Sequence, residues 1–146
     1  MTLSKTFHVW ADGGYVQHNN RMSGGILIKD EKQALVTRLA LAFKSCWRSD
    51  STIAEIVTAT HALNNAPEGA DIILHSDSKT IINLVRYNTE SHKKHNINGA
   101  LQSFRAAIAR HNSVTAQHER FEQSENMAEV HYLSVSGRNL PPTMAA

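Results

Sequence analysis

The chain has 146 residues, 41% of them apolar and 19% charged, the size and balance of one globular domain that buries its core without disulfides or a structural metal. Its single cysteine, Cys46, excludes an internal disulfide and a cysteine-based zinc site, and no apolar run is long enough to span a bilayer. A cytoplasmic protein with no membrane partner is expected, while a net charge of +2 is too small to identify a polyanionic partner.

Met1–Thr6 is polar and lacks the apolar core of a signal peptide. Thr6–Asp12 alternates loosely and is rich in strand formers, which predicts a first strand ending at Asp12-Gly13-Gly14. The two glycines suit a turn or a close approach of the backbone to a ligand. Met22–Lys29 predicts a second strand and Gln33–Phe43 a third, with Leu35, Thr37, Leu39, Leu41 and Phe43 on one face. Asp30-Glu31-Lys32 is the hairpin turn between them, so three antiparallel strands follow one another. Beyond Asp50 the apolar period changes from 2 to near 3.6, and Ile53, Ile56, Val57, Thr60 and Leu63 form the stripe of a helix that Ala66-Pro67-Glu68-Gly69 ends.

Ile72–Ser76 predicts a fourth strand, returning in parallel after a helix, with Asp77 at its carboxyl end. A second helix spans Ser78–Tyr87 and a polar connection Asn88–Asn98, in which Ser91-His92-Lys93-Lys94-His95 gathers positive charge downstream of Arg86. Taken alone, that run reads first as a solvated loop and second as a basic patch. Gly99–His111 is a third helix, Val114–Gln117 a short, weakly marked fifth strand, and Ser124–Ser136 a last helix closed by Gly137. The residues 138–146 read as a loose tail of a single domain spanning 1–146.

Three acids occupy pointed positions in this order of elements. Asp12 ends the first strand, Glu55 lies near the start of the first helix, and Asp77 ends the fourth strand, where open α/β sheets place ligands. Each has a plainer reading: Thr52-x-x-Glu55 fits a helix capping box, Asp77 could cap the helix that follows, and Asp12 before Gly-Gly could serve a turn. Together, three carboxylates from three elements could converge on hard divalent cations.

The order β-β-β-α-β-α-α-β-α with acids at these points resembles the ribonuclease H fold, and more narrowly a type 1 ribonuclease H. Trp10-Ala11-Asp12-Gly13-Gly14 resembles the family's Thr-Asp-Gly-Ser turn, Thr52-Ile53-Ala54-Glu55 its Met-Glu helix start, and His75-Ser76-Asp77-Ser78 its Thr-Asp-Ser. The resemblance covers Phe7 to Gly137 in element order. It implies an α/β fold with a five-stranded mixed sheet, three antiparallel strands and then parallel additions, flanked by about four helices. It also implies two Mg²⁺ or Mn²⁺ ions held by Asp12, Glu55, Asp77 and a fourth ligand, with Asp12 bridging both ions.

The fourth position departs from the family's acid. Aligning Val130-His131-Tyr132-Leu133-Ser134-Val135-Ser136-Gly137 with the family's last-helix pattern puts His131 in its place, with Glu129 and then Asn126 as alternatives. Imidazole there would bind Mg²⁺ more weakly, tolerate Mn²⁺ better, or relay protons near neutral pH. The family's loop histidine, which helps product leave, has a nearby counterpart in His118, which reads equally as an ordinary strand residue; His8 and His75 read as structural. Gly13, Gly14, Arg48, Ser49, Ser51 and Ser78 are the candidate substrate contacts around the acids, and Tyr87–Asn98 stands where the family has its basic handle.

The resemblance implies a monomeric endonuclease acting on RNA/DNA hybrids and leaving 5′-phosphate and 3′-hydroxyl ends. Two alternatives stay open: a DNA-directed nuclease on the same fold, and a non-catalytic nucleic-acid-binding module.

Overall fold

The computed structural model describes residues 5–44, 50–87 and 98–144. Five strands and four longer helices alternate as β1 (Thr6–Val16), β2 (Arg21–Asp30), β3 (Leu35–Phe43), α1 (Ser51–Asn65), β4 (Asp71–Ser76), α2 (Lys79–Tyr87), α3 (Asn98–Ala109), β5 (Ser113–His118) and α4 (Glu125–Gly137). The strands form one sheet in the order β3-β2-β1-β4-β5. The pairs β1–β2 and β2–β3 are antiparallel, and β1–β4 and β4–β5 are parallel. No helix among the described residues is long and apolar enough to cross a membrane.

Period-2 patterning divides β1 between two cores. Phe7, Val9 and Ala11 join Ile26, Ile28, Ile72 and Leu74 beneath α1, α2 and α3, whereas Trp10 on the other face packs with Leu27, Met127 and Val130 beneath α4. Helix α1 buries Ile53, Ile56, Val57 and Leu63, each contributing about 1.5–3 kcal/mol when fully removed from water. It stops at Ala66, held extended at φ −79° and ψ 150° by the proline that follows.

Three expectations change. The Gly13-Gly14 pair is no turn: β1 continues through it to Val16, because Gly13 and Gly14 pair with Gly24 and Ser23 of β2. The face of β3 carrying Leu35, Leu39, Leu41 and Phe43 is buried only toward its end: Leu41 and Phe43 are buried and Leu39 packs against the core, while Leu35 is 60% exposed. The tail read as loose carries fixed contacts up to Met144, whose backbone exchanges hydrogen bonds with Ala42 and Lys44 beside the edge of β3. The turn at Asp30 is as expected, its carboxylate accepting from the amides of Lys32 and Ala34 at 2.9 Å.

Candidate active site

Asp12 points to the α4 face of the sheet and is 6% exposed. Two glycines bring the other groups to it. A Cβ on Gly13 would collide with the Ala54 carbonyl, so its absence lets the start of α1 lie against β1 and puts the next residue, Glu55, beside Asp12. Gly25, opposite Asp12 in the β1–β2 register, likewise gives way to the Val130 carbonyl, the residue before His131.

The capping box is not formed. Asp50 is the N-cap of α1, accepting from the Ile53 amide at 2.7 Å, which leaves Glu55 to the site. Asp77 does not cap α2 either: the Ile81 amide donates to Ser78 Oγ at 3.3 Å. Carboxylate oxygens of Asp12, Glu55 and Asp77 lie within 4.8 Å of one another.

Clustering like charges away from water raises each acid. Burial, and then Asp77, push Asp12 up to about 6 against the lowering effect of His131 and Arg138. Glu55 is pushed up to about 9 by burial, then by Asp12 and Asp77, with only a hydrogen bond from the Gly13 backbone opposing. Burial also raises Asp77, His131 and His118 pulling the other way. Three oxygen donors that repel one another and sit at mutual ligand distance suit a hard divalent cation, which would replace the repulsion with attraction.

Of the three candidates for the fourth position, His131 is the one at the site, its Nδ1 3.2 Å from Asp12 Oδ2. Glu129 pairs with Arg38, and Asn126 accepts from Lys29 Nζ at 2.8 Å. His131 stacks on Phe121, with centroids 4.7 Å apart and planes 11° from parallel. His118 ends β5 opposite Ser76, its Nε2 3.2 Å from the Asp77 carbonyl oxygen.

Two open clefts meet at Asp77. One, of 270 Å³, is lined by Ser51, Thr52, Glu55, Asp77, Ser78 and Thr80; the other, of 430 Å³, by Asp77, Lys79, His118, Arg120, Phe121 and Glu122. Among the candidate substrate contacts, Ser51 and Ser78 thus border the site, Gly13 packs on α1, and Gly14 lies near Ser134 and Arg138. Arg48 and Ser49 lie outside the described residues, as does most of the Tyr87–Asn98 stretch. Sequence reasoning missed Phe121, Lys79 and Arg120; an exposed aromatic within a charged loop was the signal available for Phe121.

The three carboxylates thus gather on a five-stranded mixed sheet flanked by helices. No protein-family model matches the chain, and no curated protein matches it by sequence. Solved structures do match. RNase H1 from the halophilic archaeon Halobacterium salinarum superposes with a TM-score of 0.75 at 14% identity, over 90% of this chain and 96% of that one. An N-terminal RNase H domain from Mycobacterium tuberculosis gives 0.78 at 12% identity, over 93% and 95%. LC11-RNase H1, solved in complex with an RNA/DNA hybrid, gives 0.73 at 14% identity, over 91% and 96%. The chain has the fold of the type 1 RNases H, with its five-stranded mixed sheet and four flanking helices.

Proposed function

We propose that this protein is a divalent-metal-dependent endonuclease that hydrolyses the RNA strand of RNA/DNA hybrids, leaving 5′-phosphate and 3′-hydroxyl ends. The observation that carries the reading is the convergence of Asp12, Glu55 and Asp77, from three separate elements, on one point at the rim of the sheet. The hybrid-bound LC11-RNase H1 of the same fold supports the choice of substrate.

Two bound Mg²⁺ or Mn²⁺ ions would supply an activated water and charge stabilisation at the leaving oxygen. Asp12, Glu55 and Asp77 would hold them, their carboxylate oxygens lying within 4.8 Å of one another. Burial, Asp12 and Asp77 push Glu55 up to about 9, so binding a cation there would release a proton from it. His131 holds its Nδ1 3.2 Å from Asp12 Oδ2 with its ring stacked on Phe121, and so puts an imidazole where a fourth carboxylate would add negative charge. Lys79, His118 and Arg120 face the cleft beside Asp77 and suit the phosphates flanking the scissile bond. All three acids come from one chain, so the proposed site needs no second subunit.

The test is cleavage of uniformly labelled RNA/DNA hybrid, duplex RNA and duplex DNA in Mg²⁺ and in Mn²⁺. Cleavage confined to the RNA of the hybrid is expected. Cleavage of duplex DNA would favour a DNA-directed nuclease, and hybrid binding without cleavage would favour a non-catalytic module.

A further inference from the structure

Behind the acids, on the α4 face of the sheet, one carboxylate gathers donors from three elements. Glu119, the residue after β5, accepts from Trp10 Nε1 at 3.2 Å and from Ser124 Oγ through Oε1, and pairs through Oε2 with His75 Nδ1. Its own amide donates to the Ser76 carbonyl at 2.9 Å. The rings of Trp10 and His75 stack at 4.5 Å and 10°, and His8 continues the stack, its Nδ1 2.9 Å from His75 Nε2. Burial raises Glu119, but the Ser124 hydrogen bond, His75 and Trp10 outweigh it and hold the group below its usual range. It is therefore a constant acceptor: His75 donates to it from Nδ1, leaving Nε2 to accept from His8.

Each partner is tied to a site residue by rigid secondary structure. Trp10 precedes Asp12 by two residues on the same face of β1. His75 precedes Asp77 by two at the end of β4. Ser124 is the N-cap of α4, accepting from the Met127 amide at 3.2 Å, and lies two helical turns before His131. None of these groups touches the three-acid cluster, yet one carboxylate sets the relative positions of the strand ends and the helix that build it. The geometry points to Glu119 as a positioning residue: by accepting from Trp10, His75 and Ser124 together, it locks β1, β4 and α4 so that Asp12, Asp77 and His131 keep metal-binding spacing.

This inference rests on the nuclease reading, and its test separates the two. Mn²⁺ binding is measured by calorimetry alongside melting curves and steady-state hybrid cleavage, all well below the melting temperature. The variants are Glu119→Ala, Glu119→Gln and Glu119→Asp, with Ile72→Val as a control that loosens the core far from the acids. Glu119→Ala should weaken Mn²⁺ binding about 10–100-fold, the usual cost of removing a group that orients ligands. It should lower kcat by a similar factor, with hybrid KM within about twofold. Glu119→Gln keeps the acceptor for Trp10 and Ser124 but turns an N–H toward His75 Nδ1, and should fall between wild type and Glu119→Ala, whereas Ile72→Val should stay within about threefold of wild type. Should Glu119→Ala not fold, Glu119→Asp keeps the charge but is too short to span all three donors, and should weaken Mn²⁺ at least about threefold. Wild-type Mn²⁺ affinity and kcat in folded Glu119→Ala, or in Glu119→Asp if alanine does not fold, would overturn the positioning role while leaving the nuclease intact. A wild type that neither binds Mn²⁺ nor cleaves hybrid would overturn both.

Discussion

His131 beside Asp12 is where this chain departs most from a four-acid centre, and the departure has measurable consequences. An imidazole cannot add the negative charge that draws a second hard cation, so His131→Asp should keep or raise Mg²⁺-dependent cleavage. His131→Ala should lower it less than Asp12→Asn, because Asp12 is the buried carboxylate at the middle of the proposed cation site and its loss should cost on the order of 10³-fold. Equal losses for the two would contradict the assignment. Asp12 and Asp77 were legible in the sequence because an acid closing an apolar strand has few idle uses. Glu55 was ambiguous until Asp50 proved to hold the cap. Phe121 left only the faint signal of an aromatic in a charged loop and Glu119 none, since their partners, the His131 ring and the Trp10 indole, lie 10 and 109 residues away in the chain.

The same residues set a pH dependence. Asp12 and Glu55 are raised to about 6 and about 9, so the metal-free folded state binds more protons than the unfolded chain between their ordinary values near 4 and those limits. The stability that comes from keeping these acids neutral is fully present below pH 4 and is lost as pH rises through 6 and then 9. Metal-free melting temperatures, corrected for other titrating groups with an Asp12→Asn, Glu55→Gln double variant, should therefore fall across that range. Saturating Mn²⁺ should raise them and flatten the slope; at 100 times Kd the ion contributes about 2.7 kcal/mol. A metal-free curve identical to that of the double variant would contradict it.

At the scale of elements, placement of the site depends on how helices meet strands. Asp50→Ala should cost about 1 kcal/mol through loss of the α1 cap, whereas Thr52→Ala, which would matter equally in a capping box, should cost a few tenths in a denaturant melt. Gly25→Ala forces the Val130 carbonyl away and should destabilise by about 1–3 kcal/mol. Because the displaced residue adjoins His131, its cleavage rate should fall further than that of an equally destabilised core variant. The periodic stripe of α1 and the hairpin at Asp30 could be read from residues alone. The continuation of β1 to Val16 could not, because Gly-Gly after an acid has the local chemistry of a turn, and only pairing with Gly24 and Ser23 makes it strand.

At the scale of the whole molecule, the order of elements was legible and so was the parallel return of β4, because a helix between two strands permits little else. The sheet order β3-β2-β1-β4-β5 explains the site: β1 and β4 are central neighbours, and their parallel pairing, with Trp10 opposite His75, brings Asp12 within β1 level with Asp77 just past the end of β4. The anchoring of Met144 at β3 had no sequence signal, since a tail with two prolines reads as loose until an open sheet edge is known to be near. What unites these levels is a shared cation site made from three distant carboxylates. Its most direct test is Mn²⁺-dependent cleavage of a uniform RNA/DNA hybrid by wild type and by Asp12→Asn in parallel: wild type should cut the RNA strand while the folded variant is slowed on the order of 10³-fold, and equal rates for the two proteins would contradict the account.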